Sequence, residues 1–183
     1  MQAPGITRHR RPFLAPIWLT FAAVLVAAAI ALAIYRSATT TTVVVVRHAE
    51  KQLGTIDDPP LSPEGEARAE RLARLLGDGN FGGIGAILVT DTRRSQQTAA
   101  PLAKRLRLQP EIVAAADVNE MLAHIRKHRG SRVLVVGHSN TVPDIVGRLA
   151  GEQVPAIADQ EYDNLYVVSS PTFGPASVLR LTF

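Results

Sequence analysis

Three short clusters in this 183-residue chain hold side chains that could work together on an anion. They are Arg47-His48-Ala49-Glu50-Lys51, Thr90-Asp91-Thr92-Arg93-Arg94 and Gly137-His138-Ser139-Asn140. Arginine stays charged at any working pH and binds phosphate oxygens in bidentate fashion. A neutral imidazole is a good nucleophile toward phosphorus, and the phosphohistidine it forms is labile enough to turn over. A second imidazole can donate a hydrogen bond to the phosphoryl oxygens. The chain has no cysteine, which excludes a thiolate nucleophile, a thiolate metal site, a disulfide scaffold and a cysteine-linked lipid anchor. No carboxylates stand at metal-ligand spacing beside these histidines. The set fits a pocket for a phosphate monoester dianion with a histidine inside it.

Each cluster follows an apolar run that reads as a buried strand. Val43–Val46 is four β-branched residues in a row, and Ala86–Val89 and Arg132–Val136 are similarly apolar. Glu111–Ala114, Leu165–Ser169 and Ser177–Leu181 read as further strands. Ser62-Pro63-Glu64 opens a helix with a hydroxyl cap, a proline at the first position and an acid in the first turn. Helices are also expected over about Arg94–Leu106, over Val118–His128, and from Thr141-Val142-Pro143-Asp144, which has the form of a capping box, to about Ala150. Strand and helix alternate four times. That order predicts an α/β domain, a three-layer αβα arrangement around a mostly parallel central sheet. Ligands of such sheets sit at the carboxyl ends of the strands, where helix N-termini add backbone donors and partial positive charge. Two histidines and at least two arginines should therefore converge on one sheet edge.

Composition narrows the class. With 46% hydrophobic and 20% charged residues the chain is not disordered. Its net charge of +4 is uneven, because residues 1–42 hold Arg8, Arg10, Arg11 and Arg36 and no acid. The remaining body is neutral, which argues against a nucleic-acid partner. Ile17 to Tyr35 is an apolar run of 19 residues with one weakly polar member, Thr20. As a helix it would be about 28 Å long, enough to cross a hydrocarbon core about 30 Å thick. The basic cluster ahead of it should stay in the cytoplasm. The expected organisation is a basic tail (1–16), a transmembrane or signal helix (17–35), a polar linker (36–42) and a domain at 43–183 outside the cytoplasm. An uncleaved anchor is the favoured reading, since the run exceeds the usual signal h-region. A cleaved signal is the alternative: Ala31-Leu32-Ala33 has the small-x-small form of a cleavage site, and Arg10-Arg11-Pro12-Phe13-Leu14 that of a twin-arginine signal.

With these residues in view, the chain resembles the histidine phosphatase superfamily, the phosphoglycerate-mutase-like fold. Arg47-His48-Ala49-Glu50 is similar to its Arg-His-Gly signature, with alanine at the third place. Asp58-Pro59-Pro60-Leu61-Ser62-Pro63-Glu64-Gly65 is similar to its Asp-x-x-Leu-Ser/Thr-x-x-Gly element. Arg94-Ser95-Gln96-Gln97-Thr98-Ala99 and Gly137-His138-Ser139 match two further elements, and the likeness runs in order from about residue 43 to about 150. The resemblance implies that His48 attacks phosphorus and that Arg47, Arg94 and His138 bind the phosphate oxygens. Water then resolves the intermediate. It implies no metal and no cofactor, because arginine charge does the electrostatic work. Arg93, next to Arg94, should point into solvent.

Departure of the leaving alkoxide needs an acid. Asp117, after the third strand, is the first candidate for proton donor, with Glu120 and Glu50 behind it. The segment on which larger relatives carry this acid is short here. A body with little room for a lid favours hydrolysis over transfer between hydroxyls. A phosphorylated small molecule or an envelope phosphosugar suits an extracytoplasmic site. The alternatives are a mutase of the same fold and a non-catalytic phosphate-binding or interaction module.

Three other patterns carry less. Gly77-Asp78-Gly79-Asn80-Phe81-Gly82 matches a dinucleotide-binding spacing but follows a helix and precedes a strand, the reverse of what that motif needs. His124 and His128 have zinc-binding spacing but stand among Arg126, Lys127 and Arg129. Ser139 lacks the glycine two places on that a serine nucleophile elbow requires, since Thr141 stands there.

Overall fold

A computed structural model describes residues 17–54, 57–77 and 83–183, with the backbone alone given for Arg36, Ser37 and Ala38. The basic tail with its twin-arginine pattern, and most of the glycine-rich turn at 77–83, lie outside the described residues.

The chain divides at Tyr35 into two units. Helix α1, Ile17–Thr39, belongs to the first as far as Tyr35. Its segment Ile17–Tyr35 spans 19 residues with a mean hydropathy of 2.6, so it is long and apolar enough to cross a membrane.

The second unit, residues 36–183, is an α/β domain. Its strands are β1 (Thr41–Arg47), β2 (Ala86–Thr90), β3 (Glu111–Val113), β4 (Arg132–Gly137), β5 (Asn164–Ser170) and β6 (Ser177–Thr182). Its helices are α2 (Pro63–Gly77), α3 (Arg93–Leu106), α4 (Val118–Lys127) and α5 (Thr141–Ala150). The six strands form one sheet in the order β3-β2-β4-β1-β5-β6. The first four are parallel, and β5 and β6 add an antiparallel hairpin at one side.

The valine run explains why β1 is central. Val43, Val44, Val45 and Val46 are all fully buried. Alternation along the strand sends Val43 and Val45 to one face, with Met121, Ile125, Val142 and Ile145 of α4 and α5. Val44 and Val46 go to the other, with Leu72 and Leu76 of α2 and Leu102 of α3. A side chain of this size contributes about 1.5–3 kcal/mol when fully buried, so β1 anchors both helix layers. A polar residue at any of these four positions would face apolar side chains.

The helices after β1 and β2 thus pack on one face, and those after β3 and β4 on the other. β1 and β4 are neighbours, paired from Thr42 opposite Arg132 to Arg47 opposite Gly137. A crevice therefore opens between their carboxyl ends, where the chain leaves toward opposite faces.

The expected linker at 36–42 is shorter than its composition suggests. Helix α1 continues to Thr39 and β1 begins at Thr41. Thr41 and Thr42 join the sheet opposite Ser170 and Ser169, and the Gly130 amide donates to Thr41 Oγ1. Cross-strand pairing outweighs the polarity of this run.

Candidate active site

His48 and His138 are the first residues past β1 and β4, and the pairing of Arg47 with Gly137 sets them side by side. The His48 amide donates to Gly137 O at 2.9 Å, which extends the ladder by one bond. The two rings meet edge to face, with centroids 5.2 Å apart. Both are nearly buried, at 4% and 9% exposure.

The hydrogen bonds define the free nitrogen of each ring. His48 Nδ1 lies 2.8 Å from Ala49 O, and a carbonyl only accepts, so Nδ1 carries the proton. Nε2 keeps its lone pair. Burial pushes the His48 pKa down to about 3, with His138, Arg94 and Arg47 adding to the effect against the opposing pull of the Ala49 carbonyl. The ring is a neutral base at any physiological pH. His138 Nε2 lies 2.9 Å from Thr90 Oγ1. Thr90 Oγ1 donates to Ser95 Oγ at 2.6 Å, so it accepts from His138 Nε2–H and leaves Nδ1 unprotonated. Burial pushes the His138 pKa down to about 4, helped by the Arg94 charge.

Arg47 is 5% exposed. Its Nη1 donates to the carbonyls of Ala158, Asp159 and Glu161 at 2.9–3.0 Å, and its guanidinium lies 4.1 Å from the Tyr162 ring centroid. Arg94 Nη1 meets Asp58 Oδ1 at 3.3 Å. Asp58 also accepts from the Arg93 amide at 3.0 Å, and so caps α3 from a distant loop where Thr92 makes no side-chain cap. The Nε groups of Arg47 and Arg94 are buried and make no hydrogen bond. Buried donors are ordinarily paired, so two guanidinium N–H groups left over beside two histidines mark a place for an acceptor.

Arg47, His48, Arg94 and His138 line one cavity of about 380 Å³, with Asp159 and Lys51 also in its wall. The structure therefore brings together the four residues that the spacing singled out. Arg93 is exposed and contributes only its amide, as its place beside Arg94 implied.

The proton-donor candidates fare differently. The Asp117 carboxylate accepts from the Glu120 amide at 2.8 Å as the N-cap of α4, and Ala115 and Ala116, rather than Asp117, form the cavity wall. Glu120 is exposed in the first turn of the same helix. Glu50 is held by Arg68, at 2.6 Å from Nη2 and 2.9 Å from Nε. Burial opposes its ionised form, but the hydrogen bonds and charge of Arg68 prevail and hold its pKa below the usual carboxylate value. It is committed as a carboxylate.

Several supports carry no signal in their own clusters. Thr98 Oγ1 accepts from the Ala49 amide at 2.9 Å, and Gln97 Oε1 accepts from the Leu61 amide at 2.9 Å. The Gln-Thr pair after Arg94 thus ties α3 to the loops after β1. Thr141 does not cap α5 as its capping-box form suggests. Its hydroxyl accepts from the His138 amide at 3.0 Å, and Asn140 is the N-cap residue. Gly137 allows this approach, since an added Cβ would sit 3.0 Å from Thr141 Oγ1. His124 and His128 both bond to Glu111, at 2.7 and 2.6 Å, so their spacing serves a clamp between α4 and β3.

Residues 43–122 match the family model of the histidine phosphatase superfamily (branch 1). The match ends ahead of Gly137-His138-Ser139, which the fold itself brings to the site. No curated protein sequence matches the chain. Among solved structures, the protein histidine phosphatase SixA complexed with tungstate is similar at 22% identity and a TM-score of 0.65, over 77% of this chain and 96% of that one. A putative phosphohistidine phosphatase SixA from Nakamurella multipartitia is similar at 23% identity and TM-score 0.61, over 78% and 95%. A putative alpha-ribazole-5'-P phosphatase from Escherichia coli follows at 16% and 0.61, over 78% and 96%. At these identities the likeness is one of fold. Residues 43–122 thus carry the match to the histidine phosphatase superfamily, and the body built on that segment has the fold of these solved structures.

Proposed function

We propose that the chain is a phosphatase that hydrolyses phosphate monoesters through a phosphohistidine on His48. The observation that carries this reading is the pair of buried, unpartnered Nε–H groups of Arg47 and Arg94 in the cavity wall that also holds the two histidines. A phosphate dianion is an acceptor of the charge and shape these donors call for.

In this reading the dianion docks on Arg47 and Arg94. His48 Nε2, neutral because burial keeps it so, attacks phosphorus as the ester oxygen departs. His138 is neutral when the site is free. It takes up a proton as the dianion arrives and then donates from Nδ1 to a phosphoryl oxygen. The two guanidinium charges stabilise charge on the transferring group, so the reading requires no metal. Water then attacks the phosphohistidine and releases phosphate.

The apolar helix Ile17–Tyr35 supports a membrane anchor or a signal sequence. With Arg8, Arg10 and Arg11 ahead of it, positive-inside logic favours an anchored enzyme with its body outside the cytoplasm. A phosphorylated small molecule or an envelope phosphosugar is the substrate class that fits such a placement. The solved relatives include a mycobacterial glucosyl-3-phosphoglycerate phosphatase at 15% identity, which lends a sugar phosphate some support.

The test is hydrolysis of p-nitrophenyl phosphate in EDTA, beside His48→Ala. Phosphate release by the parent alone is expected. A folded parent that binds phosphate without turnover would instead indicate a binding module. Transfer of the phosphoryl group to an added alcohol, with no free phosphate, would indicate a mutase.

A further inference from the structure

The reading above, on which this inference rests, leaves the leaving-group oxygen without a proton donor. Most nearby carboxylates are already committed. Glu50 is held by Arg68, Asp117 caps α4, and Asp58 caps α3 and pairs with Arg94. Asp91 Oδ1 accepts from the Ala115 amide at 3.1 Å. Glu161 Oε2 accepts from the Ala158 amide and from Asn164 Nδ2.

Asp159 differs on both counts. It is the single carboxylate among the described residues lining the cavity that holds His48 and His138. Its side chain makes no hydrogen bond or ion pair among the described residues, and it is exposed. Its position is nonetheless fixed. Arg47 Nη1 donates to the Asp159 carbonyl at 3.0 Å and to those of Ala158 and Glu161 at 2.9 Å. The Glu161 amide closes a turn on Ala158 O at 2.9 Å. Tyr162 stacks on the Arg47 guanidinium and stands 6.1 Å from the His48 ring. The guanidinium that faces the phosphate thus also holds the backbone of this acid.

We propose that Asp159 is the proton donor to the leaving group. As His48 Nε2 forms its bond to phosphorus, the phosphorus–oxygen ester bond breaks, and the departing oxygen takes the proton of the Asp159 carboxyl and leaves as the alcohol. In the second half-reaction the Asp159 carboxylate takes a proton from the attacking water. The oxygen–phosphorus bond forms, the phosphorus–nitrogen bond breaks, and the electron pair returns to His48 Nε2. Phosphate leaves, and the proton that Asp159 gave to the alcohol has been replaced by one from the water.

An acid matters only where the leaving group is poor. The experiment measures kcat/KM of the full chain in detergent with glycerol phosphate and with p-nitrophenyl phosphate, for the parent and for Asp159→Asn, Asp159→Glu, Asp117→Asn, Lys51→Gln and His48→Ala. Asp159→Asn is expected to lower kcat/KM about 100-fold more with glycerol phosphate than with p-nitrophenyl phosphate. Asp159→Glu should recover part of that gap, and Asp117→Asn should leave the ratio alone. An equal loss on both esters in Asp159→Asn overturns the inference while leaving His48 chemistry intact, and so does the same selective loss in Asp117→Asn or Lys51→Gln. Absence of turnover by the parent, or turnover that survives His48→Ala, overturns the phosphohistidine reading and this inference with it.

Discussion

Two nearly buried histidines held neutral make the folded body sensitive to mild acid. The folded pKa values, about 3 for His48 and about 4 for His138, lie below the ordinary 6.5 that each ring regains on unfolding. Their contribution is fully present above pH 6.5 and is lost as pH falls from there toward the folded values, because only the unfolded chain takes up the protons. At about pH 5 each ring costs about 2 kcal/mol relative to about pH 8, so the pair costs about 4 kcal/mol. That is a large fraction of the ordinary 5–15 kcal/mol of domain stability. Residues 36–183 form a unit with both hydrophobic clusters, so the assay is urea unfolding of that unit, followed by circular dichroism. The perturbation is His48→Gln, which removes one titrating ring and keeps most of its volume. The stability lost between the two pH values should be about 2 kcal/mol smaller in the variant. All other groups are common to both proteins and cancel in the difference. An equal loss in parent and variant would show that His48 is protonated in the folded state, and the neutral nucleophile would be refuted.

Further outcomes follow from the same contacts. Arg94→Ala should lower kcat/KM by about 10²–10³-fold, and Arg94→Lys should recover only part, since it restores charge without the planar fork; a near-normal rate in Arg94→Ala would remove that side chain from the phosphate site. A Cβ on Gly65 would overlap the Glu50 carbonyl, so Gly65→Ala should destabilise the body by about 1–3 kcal/mol and lower activity through the His48 loop, as urea unfolding and steady-state rates would reveal. Asp58→Ala removes the cap of α3 and the partner of Arg94; it should cost about 1 kcal/mol and raise KM more than it lowers kcat. Because His138 Nδ1 lacks a proton in the free site, binding of tungstate, already a dianion at neutral pH, should take up close to one proton, measured by calorimetry in two buffers. Zero uptake would mean that His138 donates in its neutral form.

The parallel part of the sheet was legible because its determinants are local. Each of β1, β2 and β4 is a short apolar run ended by a cluster of polar or charged residues, and each of α2 to α5 starts within about one residue of its expected position. Strand-end placement then brought Arg47, His48, Arg94 and His138 together, since residues just past neighbouring parallel strands share one edge. What the sequence hid depends on contacts between distant segments. Asp58 supplies the α3 cap from 35 positions away, and Thr98 supports Ala49 from 49 positions away. Thr141 has the residue pattern of a cap, yet its hydroxyl goes to the His138 amide because Gly137 lets the helix close in. Asp159 lies in a stretch before β5 with no periodicity. Arg47 holds that stretch by backbone carbonyls, which leave no mark on residue identity. Asp117 carried a visible signal, but the signal was that of a helix cap, and the structure uses it as one.

In the proposed mechanism phosphorus becomes bonded to His48. The direct measurement is trapping of the phosphoenzyme: the full chain is mixed with radiolabelled p-nitrophenyl phosphate, quenched in alkaline denaturant within milliseconds, digested, and its phosphopeptide mapped. One label is expected on His48, stable to base, released by acid and absent from His48→Ala. Turnover by the parent with no label on any histidine would contradict this mechanism, and would mean that water attacks phosphorus directly.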